Sequence, residues 1–243
     1  MATQPASHWH KVREHLRWRG AFIVALHTLR RLLSPLVYWD LWHIYETDIS
    51  KQVPQPYARG EFTTKICGTE EDPDSLTAMI ASMGELAPGE VAGRLARGHL
   101  AAVAFSGEQP VGYMWLGFCC VPEELFDTSW VVRPGEAVRY NSFVIPPFRG
   151  RGVHSLLNTA VNCYARGHGI AKTIGAVSML NPQSLSLPKH YNRPIKMTVF
   201  FAKVRGMNWT IRKSFGAPLD SRFSWPTQKK NCLLADKNQQ PSA

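Results

Sequence analysis

The segment VRYNSFVIPPFRGRGVH, residues 138–154, decides how the rest of the chain is arranged. Residues Val138–Ile145 are rich in β-branched and aromatic side chains, which is typical of a strand. Pro146 and Pro147 end that strand, because proline has no amide N–H for a sheet ladder. Apolar residues then recur at helical spacing as far as Gly167. The segment therefore predicts a strand, a tight loop and a helix in direct succession.

The loop Arg149–Gly152 combines two glycines with two arginines. Gly150 and Gly152 carry no Cβ, so a ligand can approach the backbone closely there. The first amides of the following helix have no partner within it, and the helix dipole adds partial positive charge. These features favour an anion, and Arg149 and Arg151 strengthen that preference. The loop predicts a pyrophosphate site, and an arginine-rich turn without a ligand is the alternative.

Two familiar phosphate-binding motifs are absent from this loop. It does not end in Gly-Lys-Ser or Gly-Lys-Thr, as a P-loop does, and no G-x-G-x-x-G dinucleotide fingerprint follows the strand. The remaining pattern resembles the acyl-CoA loop of the GCN5-related N-acetyltransferase (GNAT) superfamily, written Gln/Arg-x-x-Gly-x-Gly/Ala. Arg149 and Gly152 match that motif, whereas His154 replaces the final small residue. The resemblance covers about residues 60–215.

The resemblance implies an α/β (α+β) chain with the GNAT fold, a central, mixed and mostly antiparallel twisted sheet flanked by helices. An N-terminal helical segment is added to it here. Acetyl-CoA, or coenzyme A, is the implied co-substrate, and no metal is expected. In the family the central strand splays from its neighbour and bonds to pantetheine, which makes the Val144 N–H the implied donor to the thioester carbonyl. The implied cofactor-binding residues are Phe143, Val144, Ile145, Arg149, Gly150, Arg151, Gly152, Val153, His154, Asn181 and Ser184.

The catalytic groups follow less directly. Tyr191 is the only tyrosine after Asn181, and the resemblance implies it as the acid that protonates the leaving thiolate. Tyr191 lies ten residues after Asn181 instead of the family's usual seven or eight, and Pro188 and Pro194 disfavour a long helix around it, so a surface or packing role is the favoured interpretation and catalysis the alternative. The general base stays open, because Asn141 stands where the family often has a carboxylate and water can relay the proton.

The order of predicted elements divides the chain into four segments. Two helices, at residues 72–83 and 88–97, and an acidic insertion at residues 121–136 are expected beside the acceptor site. The segments are a basic amphipathic helical extension at 1–40, an extra strand and connector at 41–60, the acyl-CoA-binding domain at 61–215, and a polar C-terminal tail at 216–243.

The net charge of +10 exceeds what coenzyme A alone would require. Residues 9–33 combine an apolar stripe with arginines. Packing on the domain or on a second subunit of a homodimer is the favoured interpretation, an anionic membrane surface is the second, and a transit peptide is the third. Nucleic acid is a further partner class for so basic a chain. The apolar run at residues 21–26 is too short to span a bilayer. Five cysteines without metal spacing or an even framework favour a cytoplasmic location, with peripheral attachment to the inner face of the membrane as its variant.

The sequence therefore predicts an enzyme, an N-acetyltransferase that transfers acetyl from acetyl-CoA to a primary amine by direct attack on the thioester. A second hypothesis keeps the fold but uses longer acyl chains or an aminoacyl-tRNA acceptor. A third is a catalytically degenerate binding module at a membrane or nucleic acid. The sequence does not identify the acceptor.

Overall fold

The computed structural model describes residues 24–51, 55–56, 58, 60–68, 72–83, 88–123, 128–181, 184–185, 195–206, 209–218 and 223–224. Its helices are α1 at residues 24–33, α2 at Pro73–Ser82, α3 at Pro88–Leu95 and α4 at Val153–Gly167. Its strands are β1 Val37–Asp48, β2 Thr63–Cys67, β3 Leu100–Ser106, β4 Gln109–Gly117, β5 Cys120–Glu123, β6 Thr128–Val131, β7 Glu136–Val144, β8 Lys172–Ser178, β9 Ile195–Val204, β10 Trp209–Phe215 and β11 Phe223–Ser224.

Eight of these strands form one sheet in the order β10-β9-β1-β8-β7-β4-β3-β2. The pair β7 and β8 is parallel, and the other neighbouring pairs of this sheet are antiparallel. A second, three-stranded sheet has the order β11-β6-β5. The predicted fold class, a mixed and mostly antiparallel sheet flanked by helices, is confirmed.

Helices cover both faces of the large sheet. On one face, α4 buries Val153, Leu157, Val161 and Ala165 against β3 and β4. On the other face, α2 and α3 pack on Tyr113 and Trp115 of β4 and on their neighbours in β3. Strand β4 is consequently buried from Val111 to Gly117, and its sequence is apolar almost throughout, as expected for a strand covered on both faces. The α4 helix predicted from residues 153–167 thus lies where it can hold the preceding loop against the sheet.

Strand β1 lies in the interior of the large sheet, between β8 and β9. Ile44, for example, is paired with Ala176 on one side and with Met197 on the other. The sequence predicts an extra strand here, and the structure gives it a longer span, Val37–Asp48. The four-segment division of the chain remains a prediction, but β1 shares its sheet with β7 and β8.

The acidic insertion at residues 121–136 contains most of β5 and all of β6. Strand β11, from the predicted polar tail, returns to pair with β6, and the rings of Trp130 and Phe223 have centroids 4.6 Å apart. Phe223 is buried at this contact. Within the described part of the chain, no helix combines the length and the apolar composition that crossing a bilayer requires.

At Gly112 of β4, the neighbouring strand β7 lies too close to leave room for a side chain. A Cβ at Gly112 would lie 2.7 Å from the Phe143 carbonyl oxygen and 3.2 Å from Val144 Cγ2. We expect Gly112→Ala to lower the free energy of unfolding by about 1–3 kcal/mol in urea denaturation, because β7 must shift to admit the methyl group.

The matched control is Gly167→Ala, at the end of α4, where a Cβ would meet nothing within 4 Å. Alanine favours helix over glycine, so this variant should be as stable as the unaltered protein or slightly more stable. Equal unfolding free energies for the two alanine variants would contradict the close approach of β4 to β7.

Candidate functional site

The parallel strands β7 and β8 form a fork. Their pairing runs from Glu136 opposite Lys172 to Arg139 opposite Gly175 and ends there. Beyond that point β7 continues alongside β4, while β8 continues alongside β1. The inner edges of β7 and β8 therefore face each other across a gap without a ladder between them.

A β-bulge accompanies the opening of the fork. In the ladder between β4 and β7, Tyr113 is paired with Phe143 and Trp115 with Tyr140, so two residues of β7 stand opposite the single residue between them on β4. Asn141, one of these two, has a φ of 42°, the only positive φ of a non-glycine residue in the described chain. Asparagine tolerates the left-handed region better than most residues, and a bulge bends its strand. The bulge thus gives β7 a local reason to turn away from β8.

Arg139 holds the apex of the fork together. Its guanidinium is buried and donates hydrogen bonds to Asn158 Oδ1 on α4 and, at 3.1 Å, to Thr47 Oγ1 on β1. A Cβ at Gly175 of β8 would lie 3.5 Å from its Nη2 atom, so the glycine leaves the guanidinium room. One side chain therefore connects α4, β1, β7 and β8 at the point where pairing stops.

The loop between β7 and α4 has the conformation that its glycines predict. Gly150 and Gly152 have φ values of 75° and 84°, and Gly152 directly precedes the first turn of α4. A Cβ on Gly150 would meet nothing within 4 Å, so the space beside it is open. The backbone is thus accessible at the start of α4.

The two loop arginines brace the loop. Arg149 Nε donates to the Val144 carbonyl oxygen at 2.8 Å, and the Arg149 guanidinium lies 5.5 Å from the centroid of the Phe143 ring. The guanidinium of Arg151 lies 5.1 Å from the Phe62 ring and 5.2 Å from the Phe148 ring. The sequence assigned both arginines to an anion, and the structure shows that each has contacts within the protein.

The orientation of Val144 follows from its neighbour. The Ile145 N–H donates to the Val111 carbonyl oxygen at 3.0 Å and so points toward β4. Because successive residues of a strand direct their amides to opposite edges, the Val144 N–H is directed toward the fork. Arg149 already occupies the Val144 carbonyl on that side.

A cavity of about 110 Å³ lies between the fork and the first turns of α4. His154 and Ser184, both predicted site residues, line it together with Ser142. His154 Nε2 is 3.0 Å from Ser142 Oγ, so the histidine lies along β7. Asn181 Oδ1 accepts a hydrogen bond from the Ser184 N–H at 3.2 Å and thereby shapes the turn after β8. These predicted residues come together around the inner end of the fork.

Phe143 has other surroundings. Its ring faces α2 and α3, with its centroid 6.0 Å from that of Tyr113, and its carbonyl oxygen points toward Gly112 of β4, so neither its ring nor its carbonyl faces the gap. Tyr191, the predicted acid, lies outside the described residues.

A second cleft of about 600 Å³ opens on the opposite face, between α3, the β5–β6 hairpin and the fork. Both cavities share Arg139, Tyr140, Asn141 and Ala176, so the fork communicates with both faces of the sheet. Glu123 and Trp130 of the predicted acidic insertion line this larger cleft, as does α3.

A buried histidine supports the wall of the larger cleft. His99 is fully buried, and its Nδ1 is 2.6 Å from the hydroxyl oxygen of Tyr140. Burial, followed by the positive charges of Arg97 and Arg94, lowers the pKa of His99 to about 3, so its imidazole is neutral at neutral pH. Burial also raises the pKa of Tyr140, and Arg94 opposes that shift. The pair is therefore an uncharged hydrogen-bonded unit behind the cleft.

Sequence reasoning missed the residues of this wall. Arg94 and Arg97 were treated only as part of a helical segment, and His99 and Tyr140 received no role. One signal was present in the sequence: Gly89, Gly93 and Arg97 are spaced four apart, which places them on one face of a helix.

Comparison with known proteins gives a likeness of fold. No family model and no curated protein matches the chain. A tandem GNAT protein from the clavulanic acid biosynthesis pathway is similar over 70% of this chain and 55% of its own, with 16% identity and a TM-score of 0.49. A GCN5-related N-acetyltransferase from Sphaerobacter thermophilus is similar over 72% and 55%, with 15% identity and a TM-score of 0.46.

A functionally unknown conserved protein from Staphylococcus epidermidis is also similar, over 74% of this chain and 65% of its own, with 13% identity and a TM-score of 0.45. The chain thus spans between 55% and 65% of the length of these three proteins.

The depressed pKa of His99 makes stability depend on pH. Its pKa is about 3 in the folded protein and near 6.5 when unfolded, so the unfolded state binds more protons between these values. Stability that is complete above pH 6.5 is therefore lost as pH falls toward 3. We expect His99→Gln to lack this contribution, which amounts to about 1.4 kcal/mol per pH unit.

Urea unfolding between pH 7 and pH 4, in about half-unit steps, measures the difference in slope. Parallel pH profiles for the unaltered protein and His99→Gln would mean that His99 is not buried as a neutral base.

Proposed function

We propose that this protein is an acyl-CoA-dependent N-acyltransferase of the GNAT superfamily, which in the simplest case transfers acetyl from acetyl-CoA to a primary amine. The observation that carries the proposal is the fork between β7 and β8. It opens directly before a Gly/Arg loop at a helix start and communicates with a cavity on each face of the sheet.

The residues fit coenzyme A along this path. Unpaired backbone groups on the inner edges of the fork suit the amide-rich pantetheine arm, which can bond to them as an added strand would. The open space beside Gly150, at the N-terminus of α4, suits the pyrophosphate. The small cavity lined by His154 and Ser184 lies between these two regions. Arg149 and Arg151 contribute by bracing the loop and by their charge.

The reaction follows from two reactants meeting at the fork. The amine enters from the larger cleft, its nitrogen attacks the thioester carbonyl carbon, the C–N bond forms and the C–S bond breaks. The Val144 N–H is the donor that we assign to the developing oxyanion, and one such donor contributes about 3 kcal/mol. The amine loses a proton to water, and the thiolate of coenzyme A takes one up.

The membrane and assembly proposals concern the surface near α1. Leu29, Leu32, Leu33 and Leu36 are 46%, 71%, 37% and 67% exposed, next to the cationic Arg31. This combination supports attachment to the anionic inner face of a membrane, with the protein otherwise cytoplasmic. A homodimer contact is the other use of the same leucines, and nucleic acid is a proposal from charge alone.

Binding of coenzyme A tests the proposal through Gly150. In Gly150→Val the side chain would enter the open space at the helix start and exclude the pyrophosphate, and we expect at least about tenfold weaker binding of coenzyme A in calorimetry. Gly169→Val is the matched control, because Gly169 has a φ of 77°, against 75° for Gly150, and a Cβ on it also meets nothing within 4 Å. The backbone cost is thus the same for both variants. Similar affinities for coenzyme A in both variants would show that the pyrophosphate does not bind at this loop.

Tyr191 is proposed as the group that protonates the thiolate. Tyr191→Phe retains the ring and removes the hydroxyl, so we expect kcat to fall by about two to four powers of ten with little change in the affinity for acetyl-CoA. Single-turnover kinetics measure the chemical step. A kcat within about twofold of the original would leave Tyr191 a packing residue.

A further inference from the structure

One face of α3 forms a wall of the larger cleft. Gly89, Gly93, Arg94 and Arg97 all line the cleft, together with Glu90. The Arg97 guanidinium lies close to Gly93, since a Cβ there would be in van der Waals contact with Arg97 Nη1 at 3.7 Å. Two arginines therefore line a wall to which the two glycines add no side chain.

These two arginines have more donors than the protein satisfies. Arg94 is 11% exposed, lies 5.1 Å from the ring centroids of Trp115 and Tyr140, and donates from Nη2 to Glu90 at 3.2 Å. Its Nη1, like Nε of Arg97, is buried and has no hydrogen-bond partner among the described residues. A buried guanidinium N–H without an acceptor is costly, and a ligand oxygen would remove that cost.

The carboxylate of Asp40, which also lines the cleft, already has hydrogen-bond and ion-pair partners. Asp40 Oδ1 accepts from the Leu41 N–H at 2.7 Å and from Ser178 Oγ at 2.7 Å, while Oδ2 is 3.5 Å from Arg30 Nη1. Asp40 is thus not a partner of the unpaired donors Arg94 Nη1 and Arg97 Nε. The positive charges of Arg94 and Arg97 also act on His99 behind them, which shows that their field extends into the wall.

We propose that the larger cleft binds an acceptor amine that also carries a carboxylate, with Arg94 and Arg97 holding the carboxylate. A guanidinium pairs with a carboxylate through two parallel hydrogen bonds, and Arg97 lines the cleft with its Nε unpaired. The inference rests on the proposed function, whose acceptor class it names.

Charge balance favours a zwitterion over a dianion such as phosphate. Besides the arginines, the cleft contains the carboxylates of Glu90 and Glu123 and the ring of Trp130. Carboxylates and aromatic faces attract an ammonium group and repel a multiply charged anion. A volume of about 600 Å³ suits a molecule of the size of an amino acid or a short peptide. A small molecule with both an ammonium group and a carboxylate therefore complements the acidic and aromatic residues of the cleft as well as its arginines.

The carboxylate has a second conceivable source. It could belong to the acyl group, as in a dicarboxylic acyl-CoA, instead of the acceptor. Both sources would place an oxygen pair against Arg97, so the experiment needs an arm for each. Binding to the coenzyme A complex avoids turnover and separates recognition of the acceptor from catalysis.

The experiment compares three pools in the presence of saturating coenzyme A: the common amino acids, their C-terminal amides, and their N-acetyl derivatives. Thermal shift identifies the best amino acid, and calorimetry then measures it against its amide. We expect the amino acid to bind at least about tenfold more tightly than the amide, since the bidentate pair is lost. In Arg97→Gln this preference should disappear, and Arg97→Lys should restore only part of it. The exposed Arg166 at the end of α4 supplies the control variant Arg166→Gln, which should keep the full preference.

Each outcome decides the inference. No amino acid binding better than its amide, or a preference that survives in Arg97→Gln, overturns it. Weaker binding of succinyl-CoA but not acetyl-CoA to Arg97→Gln, without any amino-acid preference, assigns the carboxylate to the acyl donor and also overturns it. Failure of the unaltered protein to bind coenzyme A would instead contradict the proposed function. The amino-acid preference is therefore measured without coenzyme A as well.

Discussion

The hydrogen bonding of Arg139 is the constraint on which the site depends. A buried guanidinium is costly unless its donors are satisfied, and here the partners come from two elements distant in sequence, Asn158 of α4 and Thr47 of β1. Satisfying them fixes α4 and β1 relative to β7 at the residue where pairing with β8 ends. The same side chain lines both cavities. The hydrogen bonds of Arg139 thus tie the apex of the fork to the elements around both cavities.

The bulge at Asn141 separates two halves of β7 that differ in their strand pairing. The first half completes the sheet by pairing on both edges, and the second half keeps only its β4 edge. Residues before the bulge therefore pair with both neighbouring strands, whereas after it Val144 directs its N–H toward the gap. The aromatic and cationic side chains of α3 and β4 collect on one face of this strand, and the loop and α4 occupy the other. The two cavities therefore meet at the same few residues from opposite sides of the sheet.

The sequence predicted the features that local chemistry determines. The prolines, the Gly/Arg loop and the apolar spacing after Val153 placed the β7–α4 unit correctly, because each of these signals lies within a few residues of its effect. The fold class followed from it. The wall containing Arg94 and His99 could not be predicted, since those residues acquire a role only when α3 packs on β4 and β7. The insertion of β1 between β8 and β9 depends on pairing with the distant residues 172–204, for which a single sequence carries no local signal.

That insertion of β1 has a consequence for how the chain is made. Val37 is paired with Val204, so β1 leaves the ribosome long before either of its neighbours exists. Strands β2, β3 and β4 can pair as soon as they are synthesised, but closing the loop to β1 must wait until residue 204 has emerged. Until then the segment VYWDLWHIYETD, aromatic and β-branched, has two unpaired edges, and unpaired edges of this kind are where nascent chains associate with one another.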